Sequence, residues 1–192
     1  MGRLRHVGRT GGASLKLLLL TGCRLNEIAM LSRTEVDGHT ITIPSAKTKN
    51  KLPHMLPLPP LARDILQSVK TQTDLYFTGK RGKPIGPWSR IKAQLDSAMK
   101  PDRPWRLHDL RRTVSTGMNA LGIAPATVEA VLNHQSGTRN GVAGTYNRHS
   151  YLPGNVSFMW IERRLESDPD FPRPDGRFGL GSMDRCLCGT AA

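Results

Sequence analysis

The 192-residue chain has only three cysteines, Cys23, Cys186 and Cys188. That is too few for the disulfide framework of a small secreted domain. Cys186 and Cys188 form a lone C-x-C in a Gly-rich tail, weak grounds for a metal, and Cys23 lies among apolar residues where packing is its expected role. A reducing, cytoplasmic setting fits this usage. Long apolar runs are missing too. The longest, LKLLLL at 15–20, is broken by Lys16 and falls far short of the ~20 residues a membrane span needs. Arg3, Arg5 and Arg9 are not followed by a clean apolar region and a small-residue cleavage site, so no signal peptide is read and no membrane partner is expected. Acidic residues are scarce, 15 against 28 Lys and Arg. The carboxylate cluster that a two-metal nuclease needs is not apparent. No metal, cofactor or small-molecule substrate is expected.

The excess of positive charge is the first informative feature. Net charge is +13, and the isoelectric point is about 10.4. Residues 151–192 carry five basic and six acidic side chains, so residues 1–150 hold about +14. A domain that basic faces a polyanion, and double-stranded DNA is the expected partner. Mean hydropathy of −0.39 and 192 residues suit one soluble domain with its own core.

Periodicity predicts a mainly α domain with a small antiparallel sheet. Residues 1–12 read as a loose basic end. Ser14 is placed as the cap of a helix through Leu20, ending at Thr21-Gly22. A second helix carries Leu25, Ile28 and Ala29. After the Asp37-Gly38 turn, 39–43 alternates as a strand and 55–58 forms a second extended run. The lysine-rich SAKTKNKLPH between them makes the loop of a β-hairpin. Pro59-Pro60 opens a helix with Leu61, Ile65 and Val69 in register. Trp88, Ile91, Leu95 and Met99 form a helical stripe, as do Leu110, Val114 and Met118. One more helix covers 126–132, started by Pro125. From Glu166 the chain is dense in Pro, Gly and charge, and residues 166–192 are expected to be disordered. The expected division is therefore 1–12, a domain over 13–165, and the tail.

Five segments hold chemistry. RLHDLRRT at 106–113 puts His108 and Arg111 at i, i+3, on one helix face, where together they make a phosphate-sized site. TGCRLNEIAML at 21–31 puts Arg24 at a helix start behind a Gly turn, where backbone amides and guanidinium can face an anion. AKTKNK offers Lys47, Lys49 and Lys51. VLNHQSG at 131–137 puts His134 just past a helix end. GVAGTYNRH at 141–149 holds Tyr146. Each also has a plain structural reading. Arg24 can pair with Glu27 on a helix surface, and the lysines can be a solvated turn. His134 can sit on a helix dipole, and Tyr146 can pack its ring.

In order and spacing these segments resemble the tyrosine recombinase family, in its phage-type and genomic-island integrase form. TGCRLNEIAML is similar to that family's first-arginine motif, and KTKNKLPHMLPL to its hairpin lysine motif. PWRLHDLRRT is similar to its His-x-x-Arg motif. LNHQSG, with Tyr146 twelve residues beyond His134, resembles its second-histidine and nucleophile segments. The resemblance covers about residues 13–150. It implies an integrase catalytic-domain fold and a catalytic set of Arg24, Lys49, His108, Arg111, His134 and Tyr146. By that resemblance Tyr146 attacks the scissile phosphate to form a 3′-phosphotyrosine link. Arg24 and Arg111 hold the non-bridging oxygens, and His134 hydrogen-bonds the phosphate. Lys49 protonates the departing 5′ oxygen, and His108 assists proton transfer at the tyrosine. Lys49 is preferred to Lys47 and Lys51 because its distance to Pro57 matches the family pattern. Asp109 reads as a helix cap, and Arg112 as turned toward DNA backbone or an acidic side chain.

The residue types suit that chemistry. Arg forks stabilise charge on equatorial phosphate oxygens better than flexible ammoniums do. A covalent intermediate keeps the phosphodiester energy, so strands rejoin without ATP or metal. The family carries an N-terminal DNA clamp and works as a tetramer on two duplexes, whereas this chain starts almost at the first-arginine motif. Three functions follow: a tyrosine recombinase catalytic domain, a catalytically inert DNA-binding prophage remnant, or a type IB topoisomerase-like enzyme.

Overall fold

The computed structural model describes residues 9–134. Six helices and a two-stranded sheet enclose one apolar core. Helix α1 (Arg9–Thr21) runs through its centre and packs on α2 (Leu25–Ala29), α3 (Pro60–Ser68) and α5 (His108–Ala120). Leu15, Leu17, Leu18 and Leu20 are all buried, so α1 is apolar around most of its circumference, as a core helix must be. This helix begins at Arg9 rather than at Ser14. Ser14 is buried inside it and donates to the Gly11 carbonyl at 2.8 Å, so its hydroxyl bonds backward instead of capping a helix end. Residues 9–12, expected to be loose, are thus helical.

Strands β1 (Thr40–Ile43) and β2 (His54–Pro57) pair antiparallel, with Ile41 opposite Leu56 and Ile43 opposite His54. Asp37 Oδ1 accepts from the amides of His39 and Thr40, and Gly38 at φ +88° completes the turn into β1. Alternation sends Ile41, Ile43, His54 and Leu56 inward and leaves Met55 exposed. The second strand starts one residue earlier than the apolar pattern predicts, at His54.

Pro60 opens α3, and Ala62, Ile65 and Leu66 are buried along it. Helix α4 (Trp88–Met99) buries Ile91, Leu95 and Met99 as its stripe predicts. Helix α5 buries Leu110, Val114 and Met118. Helix α6 (Pro125–Val131) buries Val128 and Val131. The fold is mainly α with a small antiparallel sheet, as expected. No described helix is long and apolar enough to cross a membrane. Tyr146, the rest of the expected domain beyond His134 and the tail at 166–192 lie outside the described residues.

Candidate functional site

The turn after α1 sets the first arginine. Gly22 adopts φ +65°, a left-handed conformation that lets the chain leave α1 and start α2 at once. Arg24 is the extended residue that caps α2. Glu27, buried one turn on, reaches back to it. One carboxylate oxygen accepts from the Arg24 amide at 2.7 Å, and the other pairs with Arg24 Nη1 at 2.9 Å. The ion pair that a bland reading anticipates is present, and it fixes the guanidinium in place. Arg24 Nη2 then donates to the Asn133 carbonyl at 2.9 Å.

The second arginine comes from α5. Arg111 is buried, with Nη1 donating to the Gly22 carbonyl at 2.6 Å and Nη2 to the Leu132 carbonyl. Burial, and the neighbouring Arg24 charge after it, push its pKa down. A guanidinium has five N–H donors, more than the two carbonyls on Arg111 or the carboxylate and carbonyl on Arg24 use, so both have donors left over. His108 opens α5, and it lines with Arg111 one cavity of about 180 Å³. Leu18, Cys23, Leu25, Leu107 and Leu110 complete its walls. The i, i+3 spacing thus puts the two side chains on one face of the helix. Asp109 Oδ2 accepts from the Arg106 amide at 2.7 Å, a cap-like contact, and Oδ1 pairs with exposed Arg112 at 3.3 Å.

These contacts meet at the C-terminal end of α6. Val131, Leu132 and Asn133 present three successive main-chain carbonyls, and each is claimed by a different part of the site. His54 Nε2 donates to Val131 at 2.9 Å. Arg111 takes Leu132, and Arg24 takes Asn133. Asn50, from the hairpin loop, donates to the same Asn133 carbonyl at 3.1 Å. A helix end leaves such carbonyls without partners and carries partial negative charge, so cationic forks suit it. His134 follows directly, exposed, with its amide bonded to the Glu129 carbonyl at 2.9 Å.

The three loop lysines differ. Lys47 is tied down by Glu35 Oε1 at 2.6 Å and by the Met30 carbonyl at 2.8 Å. Lys49 and Lys51 are exposed. Of the six residues expected to act, Arg24 and Arg111 converge on α6, and His108 shares the cavity with Arg111. Lys49 and His134 each adjoin a residue of the Asn50–Asn133 contact. Tyr146 lies outside the described residues.

Three supporting residues escaped the sequence reading: His54, Asn50 and Asn133. Glu27 was legible as a partner of Arg24 from its i+3 place after a helix cap. The three act through contacts between segments distant in sequence, which no local pattern shows. Cys23, Glu27 and His54 offer ligand atoms within 4.8 Å of one another, donor types that suit zinc. Yet both Glu27 oxygens already accept from Arg24. Burial, and then Glu27, push the Cys23 thiol up to about 12, and burial lowers His54 to about 4. With the Arg24 and Arg111 charges also nearby, the cluster is the buried seat of an arginine rather than a cation cage. Cys23 packs in the core, as expected.

The model of the phage integrase family matches residues 9–151. Prophage integrase IntZ of Escherichia coli K12 is 31% identical over 154 residues, covering 76% of this chain and 37% of its own length. Prophage integrase IntA of the same strain is 30% identical over 163 residues, covering 78% and 38%. The chain therefore spans well under half the length of these relatives. In fold it is similar to the XerH site-specific recombinase solved with palindromic difH substrate in a post-cleavage complex. The TM-score is 0.52 at 17% identity, over 87% of this chain and 46% of that one. The chain belongs to the phage integrase family, and its fold is that of a tyrosine recombinase catalytic domain.

Proposed function

We propose that this chain is the catalytic part of a tyrosine recombinase that cuts and rejoins double-stranded DNA at attachment sites, as a tetramer on two duplexes. One observation carries the reading. Arg24 and Arg111, far apart in sequence, are held on successive carbonyls of one helix end with donors left over. Two fixed forks that close together suit the oxygens of a phosphodiester.

The reaction uses each residue at one atom. Tyr146 Oη attacks phosphorus, and its phenolic proton passes to His108. An unperturbed phenol has a pKa near ~10, so neighbouring cations that favour the phenolate assist the attack. The phosphorus–O5′ bond breaks as the tyrosine–phosphorus bond forms, and Lys49 gives its proton to the leaving 5′ oxygen. Arg24, Arg111 and His134 hold the non-bridging oxygens as charge gathers there. One phosphodiester is exchanged for another, so a 5′ hydroxyl from the partner strand reverses the step without ATP.

The test is covalent trapping on nicked suicide duplexes carrying candidate attachment sequences. The expected result is an SDS-resistant protein–DNA band that disappears in Tyr146→Phe. A folded, DNA-bound chain that gives no band points instead to an inert DNA-binding remnant. A band surviving Tyr146→Phe assigns the nucleophile elsewhere, with Tyr151 the next to test. Relaxation of supercoiled plasmid without any attachment sequence supports the topoisomerase-like alternative.

A further inference from the structure

The Asn50 and Asn133 side chains exchange hydrogen bonds across the site. Asn50 Nδ2 donates to Asn133 Oδ1 at 2.7 Å, and Asn133 Nδ2 donates back to Asn50 Oδ1 at 3.3 Å. Asn50 Nδ2 also reaches the Asn133 carbonyl, the acceptor that Arg24 uses. We infer that Asn50 is a positioning residue that holds the Lys49 loop against the phosphate-binding arginines, with Asn133 as its seat. The inference rests on the reading of Lys49 as proton donor to the leaving oxygen.

Three observations lead there. The base of the loop is closed by Lys47 on Glu35 and by Thr48, whose hydroxyl bonds the Ser45 and Leu52 carbonyls. These bonds shape the loop but do not join it to the arginines. Among the described residues, Asn50 is the loop residue that does. Lys49 is exposed and immediately precedes it, on a long side chain with several free rotors. Fixing the adjacent backbone on Arg24's own acceptor sets the reach of that lysine. Finally, Asn133 stands at φ +46° and is nearly buried. Glycine meets the backbone demand at such a position, and asparagine meets it while adding an amide. Asn133→Gly therefore removes the amide pair and leaves the backbone unstrained.

The experiment compares two suicide duplexes with the full chain. One has an ordinary 5′ oxygen at the scissile phosphate. The other has sulfur there, which leaves as a thiolate and needs no proton. On ordinary DNA, Asn50→Ala and Asn133→Gly are expected to slow covalent-complex formation about a hundredfold, the effect of a misplaced group. The double variant should be no slower than either single one. On the sulfur substrate both variants, like Lys49→Ala, should approach the wild-type rate, while Arg24→Ala stays slow. If Lys49→Ala is not rescued, the proton-donor reading fails and the inference goes with it. If Lys49→Ala is rescued and the asparagine variants are not, the inference alone fails. A measurement independent of cleavage is tryptic cutting after Lys49 and Lys51, at sites that Asn133→Gly leaves unaltered. Faster cutting in that variant is expected, and an unchanged rate overturns the inference.

Discussion

At the scale of single residues, the site depends on charge held by geometry. Arg111→Lys keeps the charge but cannot reach the Gly22 and Leu132 carbonyls together while facing an anion. We expect covalent-complex formation to fall about a hundred- to a thousandfold, read as initial rates on a suicide duplex, with folding retained. His54 makes a separate prediction. Burial lowers its pKa from 6.5 to about 4, and the Arg111 and Arg24 charges add to that effect. The unfolded chain takes up a proton first, below pH 6.5. Folded stability is therefore unaffected above that value and declines as pH falls from 6.5 toward 4. The full loss is roughly 3 kcal/mol from this group. Urea midpoints at pH 7, 5.5 and 4.5 measure it against His54→Gln, which should lack this component of the slope. Equal slopes in the two proteins would show that His54 takes up its proton as readily in the fold as in the unfolded chain.

At the scale of elements, the turn between α1 and α2 is closely packed. A methyl on Gly22 would stand 2.8 Å from Leu132 Cδ2 and 3.2 Å from Val114 Cγ1, at a φ of +65° that alanine resists. Gly22→Ala should destabilise the fold by about 1–3 kcal/mol and displace the carbonyl that holds Arg111. A lower urea midpoint, with cleavage reduced under conditions where the variant is still folded, is the expected pair of results. The helices themselves were legible in sequence because apolar residues recur at their period: Ile91, Leu95 and Met99 in α4, and Leu110, Val114 and Met118 in α5, are buried as read. The start of α1 was not legible. Gly11 and Gly12 suggest a loose end, and tertiary packing against α5 and α3 overrides that local preference. His54 at the start of β2 was missed because a polar residue facing inward breaks the apolar alternation.

At the scale of the whole molecule, an excess of 13 positive charges should make the proposed DNA binding depend on salt. Affinity for random-sequence duplex should fall at least ~10-fold between 50 and 200 mM salt, measured by fluorescence anisotropy. Lys49→Ala or Lys51→Ala should flatten that dependence more than Lys47→Ala, because Lys47 already has Glu35 as its counter-charge. A common slope for all three would mean the loop does not touch DNA. Here too the sequence was readable in part. It singled out Arg24 and Arg111 as candidates, but not the frame that joins them, since that frame is main-chain carbonyl at the end of a seven-residue helix. This has a genetic consequence. Point substitutions at Val131 or Leu132 alter packing yet cannot delete an acceptor that belongs to the peptide unit. A single codon inserted within α6 would turn everything beyond it by about 100°. The side chains proposed to be catalytic would all remain encoded, and the reading frame would stay open. Val131, Leu132 and Asn133 would nonetheless face the wrong way. We expect such a one-residue insertion to abolish trapping as completely as Tyr146→Phe, and a gene inactivated in this manner would look intact to anyone checking its motifs.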